Sequence, residues 1–204
     1  MAISASQKRI HRAAMRLFAE KGSSAISVSE LAEVSGVARG TIYNNGLRPD
    51  SLFEDIASQL SNEMNARVIK TLGAEEDSAK RIAFGVRMYI RRAHEEPDWG
   101  RFLCKFAFSS KSLMGLWTGE ASPLADIEKG LTAKRYHIDE KQMFAVMSMI
   151  AGTVLSSMFL VLEGFKTWRE IGSESAELIL SALGLDKAEA RQIANIELPT
   201  LLEV

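Results

Sequence analysis

Residues 39–48 read RGTIYNNGLR, and six of these ten side chains can form hydrogen bonds. Arg39 and Arg48 are permanent cations suited to phosphate oxygens, and Arg39 could also read guanine. The Thr41 and Tyr43 hydroxyls could bond phosphate, and Gly40 would let a duplex approach the backbone closely. Asn44 and Asn45 carry the paired donor and acceptor that match adenine. This is the chemistry of nucleic-acid binding. Catalysis has no comparable set: His11, His94 and His137 lie far apart, no His-x-x-x-His pair of a helical metal site occurs, and neither a phosphate-binding glycine loop nor a nucleophile motif stands out. No catalytic residue, metal or cofactor is expected.

Such a segment needs a frame, and the flanking periodicity provides it. From Ser6 to Lys21 the apolar residues Ile10, Ala13, Ala14, Leu17 and Phe18 recur at helical spacing, and Gly22 supplies the stop. Ser27-Val28-Ser29-Glu30 is a capping-box sequence opening a short helix over 28–35. After Gly36-Val37 a second short helix runs over 38–45, anchored by Val37 and Ile42 on the helix that spans 6–21. Asn45-Gly46, typical of a hairpin turn when read alone, then ends a helix, with Gly46 as its left-handed residue. Two short helices around a glycine turn form a helix-turn-helix pattern. Pro49 can begin the next helix at its first position, where Asp50 and Glu54 complement the dipole.

Further helices are expected at 52–71, at 78–95 with Arg87, Arg91 and Arg92 on the wet face, and at 98–108 capped by Asp98. Others follow at 140–163, 170–184 and 186–196. The stretch 109–138, interrupted by Gly115, Gly119, Ser122-Pro123 and Gly130, reads as one or two helices with a mobile turn near 118–123. No strand pattern appears, so the class is all-α.

The 204 residues, 47% hydrophobic, suffice for one sizeable core or for a small domain joined to a larger one. Net charge is only −1, but residues 1–48 carry seven basic side chains against three acidic ones, while the remainder is acidic. A basic end on an acidic body suggests that this end meets a polyanion. The single cysteine, Cys104, excludes an internal disulfide, fits a reducing compartment and reads as a packed small residue. Residues 143–162 are uncharged and long enough to span a bilayer. They contain Ser, Thr and Gly and lack a basic flank, so they read instead as a helix buried in protein on every face. No membrane partner is expected, and the location is cytoplasmic.

Ala13-Ala14, Leu17-Phe18, Gly22, Ser27-Val28, Leu31-Ala32, Gly36-Val37 and Gly40-Thr41-Ile42-Tyr43 together resemble the N-terminal signature of the tetracycline-repressor (TetR) family of bacterial transcriptional regulators. The likeness implies a DNA-binding domain over 1–48, with helix 38–45 as the recognition helix in the major groove of double-stranded DNA. It implies Ser27, Arg39, Gly40, Thr41, Tyr43, Asn44, Asn45 and Arg48 as DNA-binding residues. After Tyr43 the chain departs from the family pattern of Phe, a small polar residue, Lys and Glu, having Gly46, Arg48, Pro49 and Asp50 instead. Leu47 stands where it could take over the packing of the Phe, and Arg48 where it could replace the Lys.

By the same resemblance, residues 49–204 form a helical domain that binds a small, mostly apolar effector and makes a homodimer. Met88, Phe102, Phe106, Trp117, Met143 and Met147 are the candidate cavity residues, although Met and aromatic stripes also serve as plain core. Gly152, Leu155, Ser156 and Phe159, with Leu178 and Ala182, are the candidate dimer contacts in a symmetric four-helix interface. The expected function is a ligand-responsive repressor on a palindromic operator. Its rival is a helical small-molecule-binding dimer whose DNA-reading head has degenerated.

Overall fold

The computed structural model describes residues 4–22, 25–73, 75–118 and 123–204, and these are helical with no strand among them. The first helix, α1 (Ala5–Lys21), is capped by the Ser4 hydroxyl and ended by Gly22 at φ 65°. Next come α2 (Val28–Ser35) and α3 (Arg39–Asn44), separated by Gly36 at φ 65°, which L side chains rarely adopt. The expected capping box is present: Glu30 N–H donates to Ser27 Oγ at 3.2 Å while Ser27 N–H donates to Glu30 Oε2 at 2.8 Å. Ile42 and Leu47 are fully buried, and Val37 packs against the same core.

Pro49 opens a 3₁₀ turn instead of the long helix itself, and α4 (Leu52–Leu72) begins after Ser51. The body comprises α5 (Ser78–Glu95), α6 (Pro97–Phe106), α7 (Lys111–Thr118), α8 (Pro123–Thr132), α9 (Met143–Leu162), α10 (Trp168–Ala182) and α11 (Lys187–Ala194). Helix α5 is central, packing against α6, α8, α9, α10 and α11. The expected turn near 118–123 falls largely on residues 119–122, which lie outside the described residues.

Three expectations are corrected. Helix α6 starts at Pro97 and not at an Asp98 cap, because proline at the first position presets the helical φ. Helix α10 starts two residues early, because Thr167 and Glu170 form a capping box of their own. Arg87 and Arg92 are not wet: both are buried, Arg92 among carboxylates and Arg87 with its guanidinium donating to the Ile196 carbonyl at 2.6 Å. A long aliphatic stem lets arginine cross a core boundary when its fork finds acceptors.

One glycine is required by packing. A Cβ on Gly130 would stand 1.9 Å from the ring of Tyr136, which is itself buried. Gly130→Ala is therefore expected to destabilise by about 2 kcal/mol or more through overpacking, read as a lower thermal midpoint. An unchanged midpoint would show that the α8 end gives way freely.

Candidate nucleic-acid interface and effector cavity

Helix α3 turns its polar side outward. Arg39, Gly40 and Asn44 are exposed, Tyr43 is 49% exposed and Thr41 is half-buried. A Cβ on Gly40 would touch nothing within 4 Å, so its value lies in the open surface it leaves and not in internal packing. Arg48 is extended into solvent, its guanidinium 3.9 Å from Asp55. Asp55 also accepts from the Arg48 N–H at 3.2 Å and the Ser51 hydroxyl at 2.7 Å, which fixes the chain where α3 gives way to α4.

Two of the eight candidates are placed differently from the others. Asn45 folds its amide back to donate to the Thr41 carbonyl at 2.7 Å, closing the last turn of α3. Ser27 is committed to the capping box, donating to Glu30 Oε2 at 3.0 Å. The Lys21 ammonium on Glu30, followed by the Ser27 bonds, holds that carboxyl at about 2, so it stays charged at the α2 N-terminus.

The body contains a cavity of about 30 Å³ enclosed by α4 (Val68, Leu72), α5 (Ile82, Gly85, Val86, Tyr89), α7 (Leu116) and α9 (Ile150, Val154). Its polar feature is an ion pair, Arg81 Nε donating to Asp126 Oδ1 at 2.5 Å, with both side chains largely buried. Burial pushes the Asp126 carboxyl above its usual range against the pull of Arg81. Met88, Phe102, Phe106, Met143 and Met147 do not line this cavity, and the side chain of Trp117 lies outside the described residues. Met88 is core, and Met143 and Met147 pack half-buried against it.

Phe102 and Phe106 instead meet Phe18 of α1 and Phe53 of α4, with ring centroids 5.0 to 6.4 Å apart. Sequence spacing shows an aromatic stripe on one helix but not the rings supplied by others. The Arg81–Asp126 pair spans 45 residues and leaves no local signal either.

Helix α9 is buried along one side only. Just 39% of its most apolar 18-residue window lies inside the protein, against the expectation of burial on every face. Phe144 is 86% exposed, Phe159 51% and, on α10, Leu178 69%. Ser148, Gly152, Ser156 and Ala182 border them. Leu155 is turned the other way, into the core, where its carbonyl accepts from the Cys104 thiol at 3.6 Å. Burial pushes that thiol up to about 11, so it is no thiolate at neutral pH.

Comparison with known proteins agrees with this arrangement. A family model described as "Tetracyclin repressor-like, C-terminal domain" matches residues 77–196, and "Bacterial regulatory proteins, tetR family" matches 10–45. The fold is similar to solved structures of RolR. The complex with the ligand resorcinol has TM-score 0.66 at 22% identity, covering 97% of this chain and 96% of that one. The structure without ligand has TM-score 0.63 at 23% identity, covering 96% and 100%. No curated protein matches. With matched segments in both the helix-turn-helix head and the helical body, the latter over more than half its length, the chain belongs to the tetR family of bacterial regulatory proteins.

Proposed function

We propose that this regulator is a cytoplasmic repressor that grips a palindromic operator as a homodimer and leaves it when a small, mostly apolar effector enters the body. Residues 1–48 would serve DNA binding, and 49–204 effector binding and dimerisation. The observation that carries this is the course of α4. Its Val68 and Leu72 wall the cavity, while at its other end Phe53 packs on Phe18 of the head. One rigid helix thus touches both places where ligands would act.

At about 30 Å³ the cavity has room for a water molecule but not for a ring, so an effector must prefer a more open arrangement. That preference is what a ligand needs to shift a conformational equilibrium. RolR binds resorcinol; here the walls are apolar and Arg81–Asp126 offers a single charged anchor, which suits a small ring bearing a hydroxyl. Dimerisation is supported by the exposed apolar side chains Phe144, Phe159 and Leu178 on α9 and α10, because clustered exposed apolar residues mark interaction surfaces.

Selection of random duplex DNA on the purified protein, followed by sequencing, tests the reading. Enrichment of an inverted repeat supports it; weak retention without sequence preference, abolished by moderate salt, sinks it. With the operator in hand, Arg48→Ala should reduce the slope of log affinity against log salt by about one unit per head, because one phosphate contact is lost. An unchanged slope would remove Arg48 from the interface.

A further inference from the structure

The backbone carbonyl of Asn45, at the end of α3, accepts a hydrogen bond from Gln59 Nε2 of α4 at 3.2 Å. Only a donor can face a carbonyl, so the amide oxygen must point the other way. There it meets His11 Nε2 at 2.5 Å and Gln7 Nε2 at 3.4 Å, both on α1. Two elements of the head, α1 and α3, therefore meet on one half-buried side chain of α4. Because Oε1 can only accept, His11 carries its proton on Nε2. Burial holds the His11 pKa below its usual value, opposed by the Gln59 bond and by Glu63, while Arg92 lowers it further.

Helix α3 has six residues, of which it buries Ile42 alone. A helix this short does not hold itself in water, so its direction is imposed by what it touches. The Asn45 amide nitrogen donates back along α3, to the Thr41 carbonyl. The tie from the end of the helix to α1 runs through the Gln59 amide.

We propose that Gln59 is a positioning residue for sequence reading. It fixes the tilt of α3 against α1, and His11 keeps its amide in the required orientation. The inference rests on the head being the DNA-reading element. It assigns Gln59 to base discrimination and not to phosphate attraction, because it is uncharged and lies behind α3.

Full-length wild type, Gln59→Met, His11→Met and His11→Gln would be titrated against the selected operator and a scrambled duplex, with folding checked by circular dichroism. Gln59→Met keeps length and loses all three bonds. It should weaken operator binding about tenfold per head, on the order of a hundredfold for two heads, with the scrambled duplex unchanged. His11→Met should show a smaller loss of the same kind. His11→Gln, whose amide can donate where Nε2 does, should stay within about threefold of wild type. The proposal is overturned if Gln59→Met stays within about threefold on the operator, or if operator and scrambled duplex weaken together as in general destabilisation. It is equally overturned if His11→Gln is no better than His11→Met. A wild-type protein that prefers no duplex would instead sink the functional reading itself.

Discussion

Replacing Arg92 by methionine is expected to cost about 3 kcal/mol of stability, the low end for breaking a buried ion pair, and to lower the thermal midpoint by about 6–12 °C for a chain of this size. Arg92 lies on α5, 3% exposed, and its guanidinium reaches Glu63 at 2.7 Å and Glu96 at 3.1 Å while stacking on Trp99 at 4.5 Å. Arg67 joins the same carboxylates at 3.2 and 3.1 Å and also donates to the carbonyls of Leu201 and Leu202. Methionine fills most of the volume but leaves two carboxylates to share one cation. The neighbouring Arg91–Glu95 pair is more open, so Arg91→Ala should cost well under about 1 kcal/mol at that pair.

The sign of the pH dependence gives a second readout. Burial raises the Glu96 carboxyl, but Arg92 and Arg67 together hold it below its ordinary value. A lowered folded-state value means that the contribution is complete above the unfolded value and fades as pH falls through the folded one. Wild type should therefore lose stability more steeply than Arg92→Met on acidification below about pH 4.5. Denaturant unfolding at several pH values measures both quantities. A loss under about 1 kcal/mol at neutral pH would mean that water already screens the network.

The second large effect is expected at Gly152. A Cβ there meets nothing within 4 Å in the protomer, so Gly152→Leu should leave the chain folded and improve helix propensity by about 0.8 kcal/mol. In a dimer joined through α9 the same side chain would stand where the helices approach most closely. Sedimentation should then give monomers where wild type gives dimers. Operator affinity should fall about a hundredfold or more, since the second head no longer binds at the high local concentration set by the first. A Gly152→Leu protein that remains dimeric with full affinity would place the dimer contact on another face.

Much of the head was legible because its signals are local. Gly22, Gly36 and the Ser27–Glu30 box act within one helical turn, and each marks its boundary to within a residue. The body was legible as helices but not as a site. Which of three clustered arginines turn inward depends on Glu63, 29 residues before Arg92, and on the Ile196 carbonyl, 109 residues after Arg87, and a charge in the sequence does not name its partner. Phe102 and Phe106 had the right spacing for a cavity wall, yet Phe18 and Phe53 fill the space they face. Asn45 has the right chemistry for adenine, but sequence alone does not show that its amide nitrogen also reaches the Thr41 carbonyl one turn away. Gln59 carried no signal at all, because an isolated glutamine on a long helix looks the same in water as in a three-way junction.

The aromatic cluster has a consequence for how the chain comes apart. Phe18 is completely buried, and the rings that bury it include two from α6. Removing the body would strip the head of its largest core contact, so the functional boundary proposed near residue 48 is not a boundary of cooperativity. Opening of α1 must disturb α6, and slow hydrogen exchange in one should be shared by the other. The DNA-reading end borrows its rigidity from the ligand-sensing end, which makes the two a single thermodynamic unit before any effector arrives.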